Sequence, residues 1–354
     1  MQMAELSRKM MRSCGPDVPP AQNPGVVLGI ALGIAAARGR DKVTILTSPR
    51  IAAFGAWTEQ LFAESTGKQG KGLIPIDGEP IGRPEVYGDD RFFIDLALKG
   101  DNDADADADA KLKALEKAGH PVTRIVQNSP AHIVQEFFRF EIATATAGSV
   151  LSINPFDQPD VEASKIKTRE LSSAFERSGV LPREMPICSE KSIALYTDEA
   201  NAAALRKAGA DAGVESFLAA HFARLVSGDY FALLAYLARG AKNISRLQQL
   251  RLAVRDRRRV ATCLQFGPRF LHSTGQAYKG GPDNGVFLQV TSDDSEDLAI
   301  PGHRATFGAV KNAQSRGDFE VLLERGRRAL RVHLNGDADS GLTTLKAAFE
   351  RALT

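Results

Sequence analysis

The sequence predicts an α/β protein with a doubly wound, mostly parallel, three-layer domain and a second α/β unit toward its C-terminus. Short β-branched runs alternate with segments whose apolar residues recur at helical spacing, and Pro or Gly marks most of the joins. Helices that connect successive strands in this way build parallel sheets. A chain of 354 residues exceeds the usual span of about 100–200 per domain. We therefore expect an N-terminal extension over 1–22, an α/β domain over 23–200 and a C-terminal α/β extension over 201–354.

In "NPGVVLGIALGIAAARGRDKVTIL" an Ala- and Gly-rich helix leads through a Gly-Arg-Asp turn into the strand Val43 to Leu46. Pro49 suits a helix start, and Ile51, Phe54, Trp57, Leu61 and Phe62 follow at near-helical spacing with Gly67 as the stop. Glu64 falls in the last turn. "RFFIDLAL", "TRIVQ" and "SVLSI" read as strands, and "PAHIVQEFFRFEIATATAG" as the helix between the last two. "DNDADADADA" reads as a solvated loop ahead of a short helix around Leu115. It is no EF-hand, because Ala106 and Leu112 stand where, counting from Asp101, that loop needs Gly and Glu. Beyond residue 200 the grammar repeats in "YFALLAYL", "SRLQQLRLAVRDRRR", "VATCLQF", "GVFLQVT" and "ALRVHL".

A formal charge of +2 gives no electrostatic reason to expect a nucleic-acid partner, while a small anionic substrate fits. Cys14, Cys188 and Cys263 are far apart and odd in number, which suits a reducing compartment and neither a disulfide framework nor a zinc site. The N-terminal stretch lacks the apolar core of a signal peptide, and no segment approaches the roughly 20 apolar residues of a membrane span. We expect a cytoplasmic protein without a membrane partner.

Three clusters could carry chemistry. In "INPFDQPDVEASK", Pro159 suits the first helical position and Asp160 and Glu162 complement the helix dipole. Gln158 and Lys165 lie about two turns apart on one side of that helix, although good capping and a solvated lysine explain the same residues. In "AESTGKQGKG", Glu64 ends an apolar helix, where the dipole's negative end suits a general base or simply an ordinary cap. The glycines do not have Walker spacing. In "FGPRFLHSTGQAYKGGPDNG", Arg269, His272, Ser273 and Gln276 crowd a strand end with donors suited to a sugar phosphate. The other five of the six histidines have no such company and read as structural, and no G-x-S-x-G elbow supports a serine triad.

"GSVLSINPFDQPDVEASK" resembles the C-terminal signature of the phosphoglucose isomerase family, with Asp160 standing where that signature has glycine. "AESTGKQGKG" resembles the same family's Glu-Ser-x-Gly-Lys segment, and "QNPGVVLGIALGIAAARGRDKVTIL" resembles the helix and strand before it. The tail with "FGPRFLHSTGQAYKGGP" resembles the isomerase portion of bifunctional transaldolase/phosphoglucose isomerases.

The resemblance implies a flavodoxin-like sugar-isomerase fold and the interconversion of glucose 6-phosphate and fructose 6-phosphate through an enediol, with no metal and no redox cofactor. It implies Glu64 as base, Lys165 and His272 in ring opening, and Gln158 at the substrate, together with Ser65, Gly67, Lys68, Arg269, Ser273 and Gln276. His272 follows both Glu64 and Lys165, whereas the family's histidine falls between its glutamate and lysine. The family's Gly-Gly-Arg-x-Ser motif and phosphate-holding Ser/Thr cluster are not found here. The expected partners are therefore a second copy, or a separate N-terminal isomerase or transaldolase chain. The alternatives are a non-catalytic sugar-phosphate-binding module and an inactive fragment.

Overall fold

The computed structural model describes residues 2–100 and 102–354, and places side chains over 3–100 and 107–354. The chain forms two compact units, residues 1–158 with 273–282, and residues 159–272 with 283–354. They part between Gln158 and Pro159, well before the boundary at residue 200 that the sequence suggests.

The first unit runs α1 (Gln2–Ser13), α2 (Pro24–Ala37), β1 (Lys42–Thr47), α3 (Ala53–Thr66), β2 (Ile74–Asp77), β3 (Arg91–Leu98), α4 (Asn102–Lys117), β4 (Val122–Gln127) and α5 (Ile133–Leu151). Its four strands form a parallel sheet in the order β2-β1-β3-β4. Val43, Ile45, Phe92, Ile94 and Leu96 from this sheet meet Leu28, Leu32, Phe54, Phe62 and Phe140 from the helices in one core. Asn23 caps α2, its side chain accepting from Val26 N at 3.1 Å, and Pro24 takes the first helical position. Gly29 permits α2 to lie against α5, since a Cβ there would stand 2.4 Å from Ala143 O.

Two sequence expectations fail in this unit. "SVLSI" is no strand: α5 continues to Leu151 and stops where Ser152 turns left-handed at φ 56°. The β-branched Thr144 and Thr146 donate to Phe140 O and Ile142 O one turn back and so fit within the helix. The acidic tract is no loop either, since α4 begins at Asn102; Asp101, its first residue, lies outside the described residues. Alternating Ala favours helix, and Asp107–Lys111 at 2.6 Å and Asp109–Lys113 at 2.7 Å are pairs four residues apart on its surface.

The second unit runs α6 (Pro159–Ser178), β5 (Cys188–Glu190), β6 (Ile193–Tyr196), α7 (Glu199–Lys207), α8 (Val214–Ala223), β7 (Tyr230–Tyr236), α9 (Ala241–Arg258) and β8 (Ala261–Phe266). A short helix α10 (Gly275–Gly280) then lies in the segment that belongs to the first unit, before β9 (Gly285–Ser292), α11 (Phe307–Glu324), β10 (Arg328–Leu334) and α12 (Ala338–Ala352). The six strands are ordered β5-β6-β10-β9-β7-β8. β10, β9, β7 and β8 are parallel, and the hairpin β5–β6 adds an antiparallel edge. Every residue of β7 is buried, as expected of a central parallel strand covered on both faces. The mostly parallel α/β class holds throughout, and the later strands form a sheet of their own.

Candidate functional site

The first group of candidate residues lies in the first unit. Glu64 is half-buried in the last turn of α3, and its carboxylate accepts from Gln60 Nε2 at 3.2 Å. Ser65 beside it is also half-buried. Gly67 caps the helix, and nothing larger fits there: a Cβ would lie 2.2 Å from Ala277 Cα in α10. Gln276 is fully buried and donates to Gly67 O at 2.9 Å, so it contacts the turn after Glu64, and Ser273 is buried nearby in sequence.

Lys68 is no free cation. It is 2% exposed, and Nζ donates to both the carbonyl and the carboxylate of Asp157, the latter at 2.9 Å. That hydrogen bond holds the Asp157 carboxyl below the usual carboxylate range. Asn154 adds a bond from Nδ2 to Asp157 Oδ2 at 3.0 Å, and its own Oδ1 accepts from Phe156 N at 3.1 Å. Gln158 follows with an exposed side chain.

The second group lies in the second unit. Lys165 and His272, 107 positions apart in sequence, line one cavity of about 190 Å³ together with Val161, Ser164, Thr168, Arg169, Leu271 and Gln314. α6 supplies Val161, Ser164, Lys165, Thr168 and Arg169 from one face, as helical spacing requires. The short turn Arg269–His272 supplies the histidine, while Arg269 itself is exposed and does not line the cavity. Ser164 is 2% exposed and its hydroxyl has no hydrogen-bond partner. Glu162 bonds Arg169 at 2.8 Å and lies 3.6 Å from Lys165, and the Arg169 bond first holds its carboxyl below the usual range. The cavity is therefore rimmed by cations and contains a buried hydroxyl, a combination suited to an oxygen-rich anion.

Asp160, the one departure from the resembling signature, is 6% exposed and pairs with Arg325 at 2.7 Å. An aspartate in place of the signature's glycine is expected to alter the site's charge more than its shape. Arg325 offsets that charge within the same unit. Sequence reasoning also passes over Arg169 and Thr168, which the spacing from Lys165 could have found, and over Gln314 and Arg325, which no local signal marks. Among the described residues, no group of His, Cys, Asp and Glu side chains is arranged to hold a metal ion, and no helix is long and apolar enough to cross a membrane.

No protein-family profile matches the chain. Among solved structures, it is similar to a glucose-6-phosphate isomerase of Chlamydia trachomatis at 11% identity, over 98% of this chain and 72% of that one, with a TM-score of 0.30. It is similar to the C-terminal domain of glucosamine-fructose-6-phosphate aminotransferase from Francisella tularensis at 9% identity, over 99% and 91%, with a TM-score of 0.30. In sequence it is 30% identical to the glucose-6-phosphate isomerase of Rubrobacter xylanophilus over 188 residues, 41% of this chain and 42% of the relative. The corresponding enzyme of Symbiobacterium thermophilum is 27% identical over 157 residues, 35% of each chain. Over roughly two fifths of its length, then, this chain is similar to glucose-6-phosphate isomerases, and it spans a similar fraction of theirs.

Proposed function

We propose that the chain carries part of the active site of an aldose-ketose isomerase that interconverts glucose 6-phosphate and fructose 6-phosphate. The observation that supports this most is the shared cavity of Lys165 and His272, which unites two residues that sequence order alone left unrelated. In this reading they move the protons that open the sugar ring. The Glu64 carboxylate then takes the proton from C2, and the C–H electrons form the C1–C2 double bond while the C1 carbonyl π pair moves to O1, which takes up a proton to give the enediol. O2 then loses its proton to form the C2 carbonyl as Glu64 returns its proton to C1, completing the ketose. Gln158 orients the open chain. The tail corresponds to the isomerase portion of a bifunctional transaldolase/phosphoglucose isomerase, and a second copy or a separate chain supplies the phosphate-holding domain.

Conversion of fructose 6-phosphate, followed with and without a candidate N-terminal partner, tests the reading. Glu64→Gln should lower turnover by about 10²–10⁴-fold, the usual contribution of a general base. An active preparation indifferent to that change would rule the assignment out. The partial span of the relatives favours one second reading, a sugar-phosphate-binding module without turnover. Calorimetry with 6-phosphogluconate separates the two, since binding without conversion supports the module.

A further inference from the structure

The turn after Glu64 is a two-residue hairpin. Lys68 N donates to Lys71 O and Lys71 N to Lys68 O, both at 3.0 Å, which makes the two lysines a directly opposed antiparallel pair. Gln69 at φ 56° and Gly70 at φ 70° close the loop, the positive pair of angles that a type I′ turn demands. Opposed residues of such a pair project from the same face. Both ammonium groups indeed reach the same stretch of chain: Lys71 Nζ donates to Leu151 O at 2.8 Å, and Lys68 Nζ to the Asp157 carbonyl and carboxylate.

These two contacts bracket Ser152–Asp157, the segment between the end of α5 and Gln158. The hairpin is itself held from its other side, where Gly70 N donates to Gly280 O and Gln276 Nε2 to Gly67 O, each at 2.9 Å. Thr66 Oγ1 accepts from Leu73 N at 2.8 Å and ties the hairpin's exit back to the last turn of α3. The lysine clasp therefore links the backbone that carries Glu64 to the backbone that carries Gln158, through bonds that lie wholly within the first unit.

We propose that Lys68, supported by Lys71, is a positioning residue that fixes Gln158 relative to Glu64, and that neither lysine contacts the substrate. The proposal rests on the isomerase reading for its catalytic meaning, whereas the clasp itself is testable without turnover. Phe156 is 84% exposed in the clasped segment, so chymotryptic cleavage after it reports opening in the 354-residue chain. Loss of a charge-assisted bond in Lys68→Met should speed that cleavage about tenfold or more without a matching fall in thermal midpoint, and Lys68→Arg should restore most of the protection. Unchanged cleavage in Lys68→Met/Lys71→Met would overturn the clasp, whether or not the chain isomerises sugars.

In a turning-over preparation, Lys68→Met and Gln158→Ala should each lower kcat/KM, with a loss approaching about 10²-fold where geometry slips by an ångström. The double variant should be no worse than Gln158→Ala alone, because both changes remove one positioned group. Multiplicative losses would overturn the positioning role. Absence of turnover in the unsubstituted chain with its partner would count against the isomerase reading alone, and the cleavage rates would still decide the clasp.

Discussion

His221 should make the stability of the second unit depend on pH. It lies wholly buried in α8, with Nε2 3.1 Å from Phe287 O on β9 and Nδ1 without a partner. A carbonyl only accepts, so Nε2 holds the proton of the neutral ring. Charging Nδ1 would place a cation in the core beside the Arg224 guanidinium. Burial first, and Arg224 second, therefore hold the imidazole at about 3, against an ordinary 6.5. The folded value lies below the unfolded one, so the stability contributed by the neutral ring is present above the unfolded value and is lost as pH falls toward the folded one. Between about pH 7.5 and about pH 5 the unfolded ring takes up nearly one proton that the folded ring does not, which costs roughly 2 kcal/mol at about 1.36 kcal/mol per pKa unit. His221→Gln keeps an N–H able to reach Phe287 O and removes the titration. Urea unfolding followed by circular dichroism should show the variant losing about 2 kcal/mol less than the unsubstituted chain over that interval. An equal loss in both proteins would refute the reasoning.

Gly67→Ala should destabilise by about 1–3 kcal/mol in thermal unfolding, because the new methyl meets the backbone of Ala277, which cannot rotate away. Asp160→Asn should change stability by less than about 1 kcal/mol, since Arg325 is half exposed and regains water. The same substitution should shift affinity for inorganic phosphate only slightly in calorimetry, and a large gain would mean that Arg325 does not cancel the charge. Val27, Ile30 and Ile34 form an exposed stripe along α2, at 47%, 37% and 40% exposure. We expect a second copy to cover it, so the chain should sediment as a dimer at about micromolar concentration and Ile34→Asp as a monomer.

Wherever a pattern is local, the sequence was enough. Gly67 as the stop of α3, Glu64 in its last turn, Pro159 at the start of α6 and the buried run of β7 all follow from spacing and from single-residue backbone preferences. The α/β class follows from the same alternation, because a helix or strand period is written over a few adjacent residues. "SVLSI" misleads for that very reason: Val150 and Ile153 favour a strand locally, yet α5 extends through Val150 to Leu151. The acidic tract misleads because its charge suggested solvent while its alanines and later lysines build a helix.

What long-range packing decides could not be read in advance. The resemblance places Lys68 at the substrate, whereas the chain brings Asp157 beside it, and the charge that Asp160 adds meets Arg325, delivered by the C-terminal cap of α11. Lys165 and His272 share a cavity because α6 and the turn after β8 pack together within one unit, a proximity that no residue interval encodes. Sequence alone thus determined which side chains stand at helix ends and strand ends, since those preferences are settled by neighbours in the chain. Which of these groups bind each other, and which remain available to a ligand, was decided only by tertiary structure, because ion pairing and burial depend on distance in space.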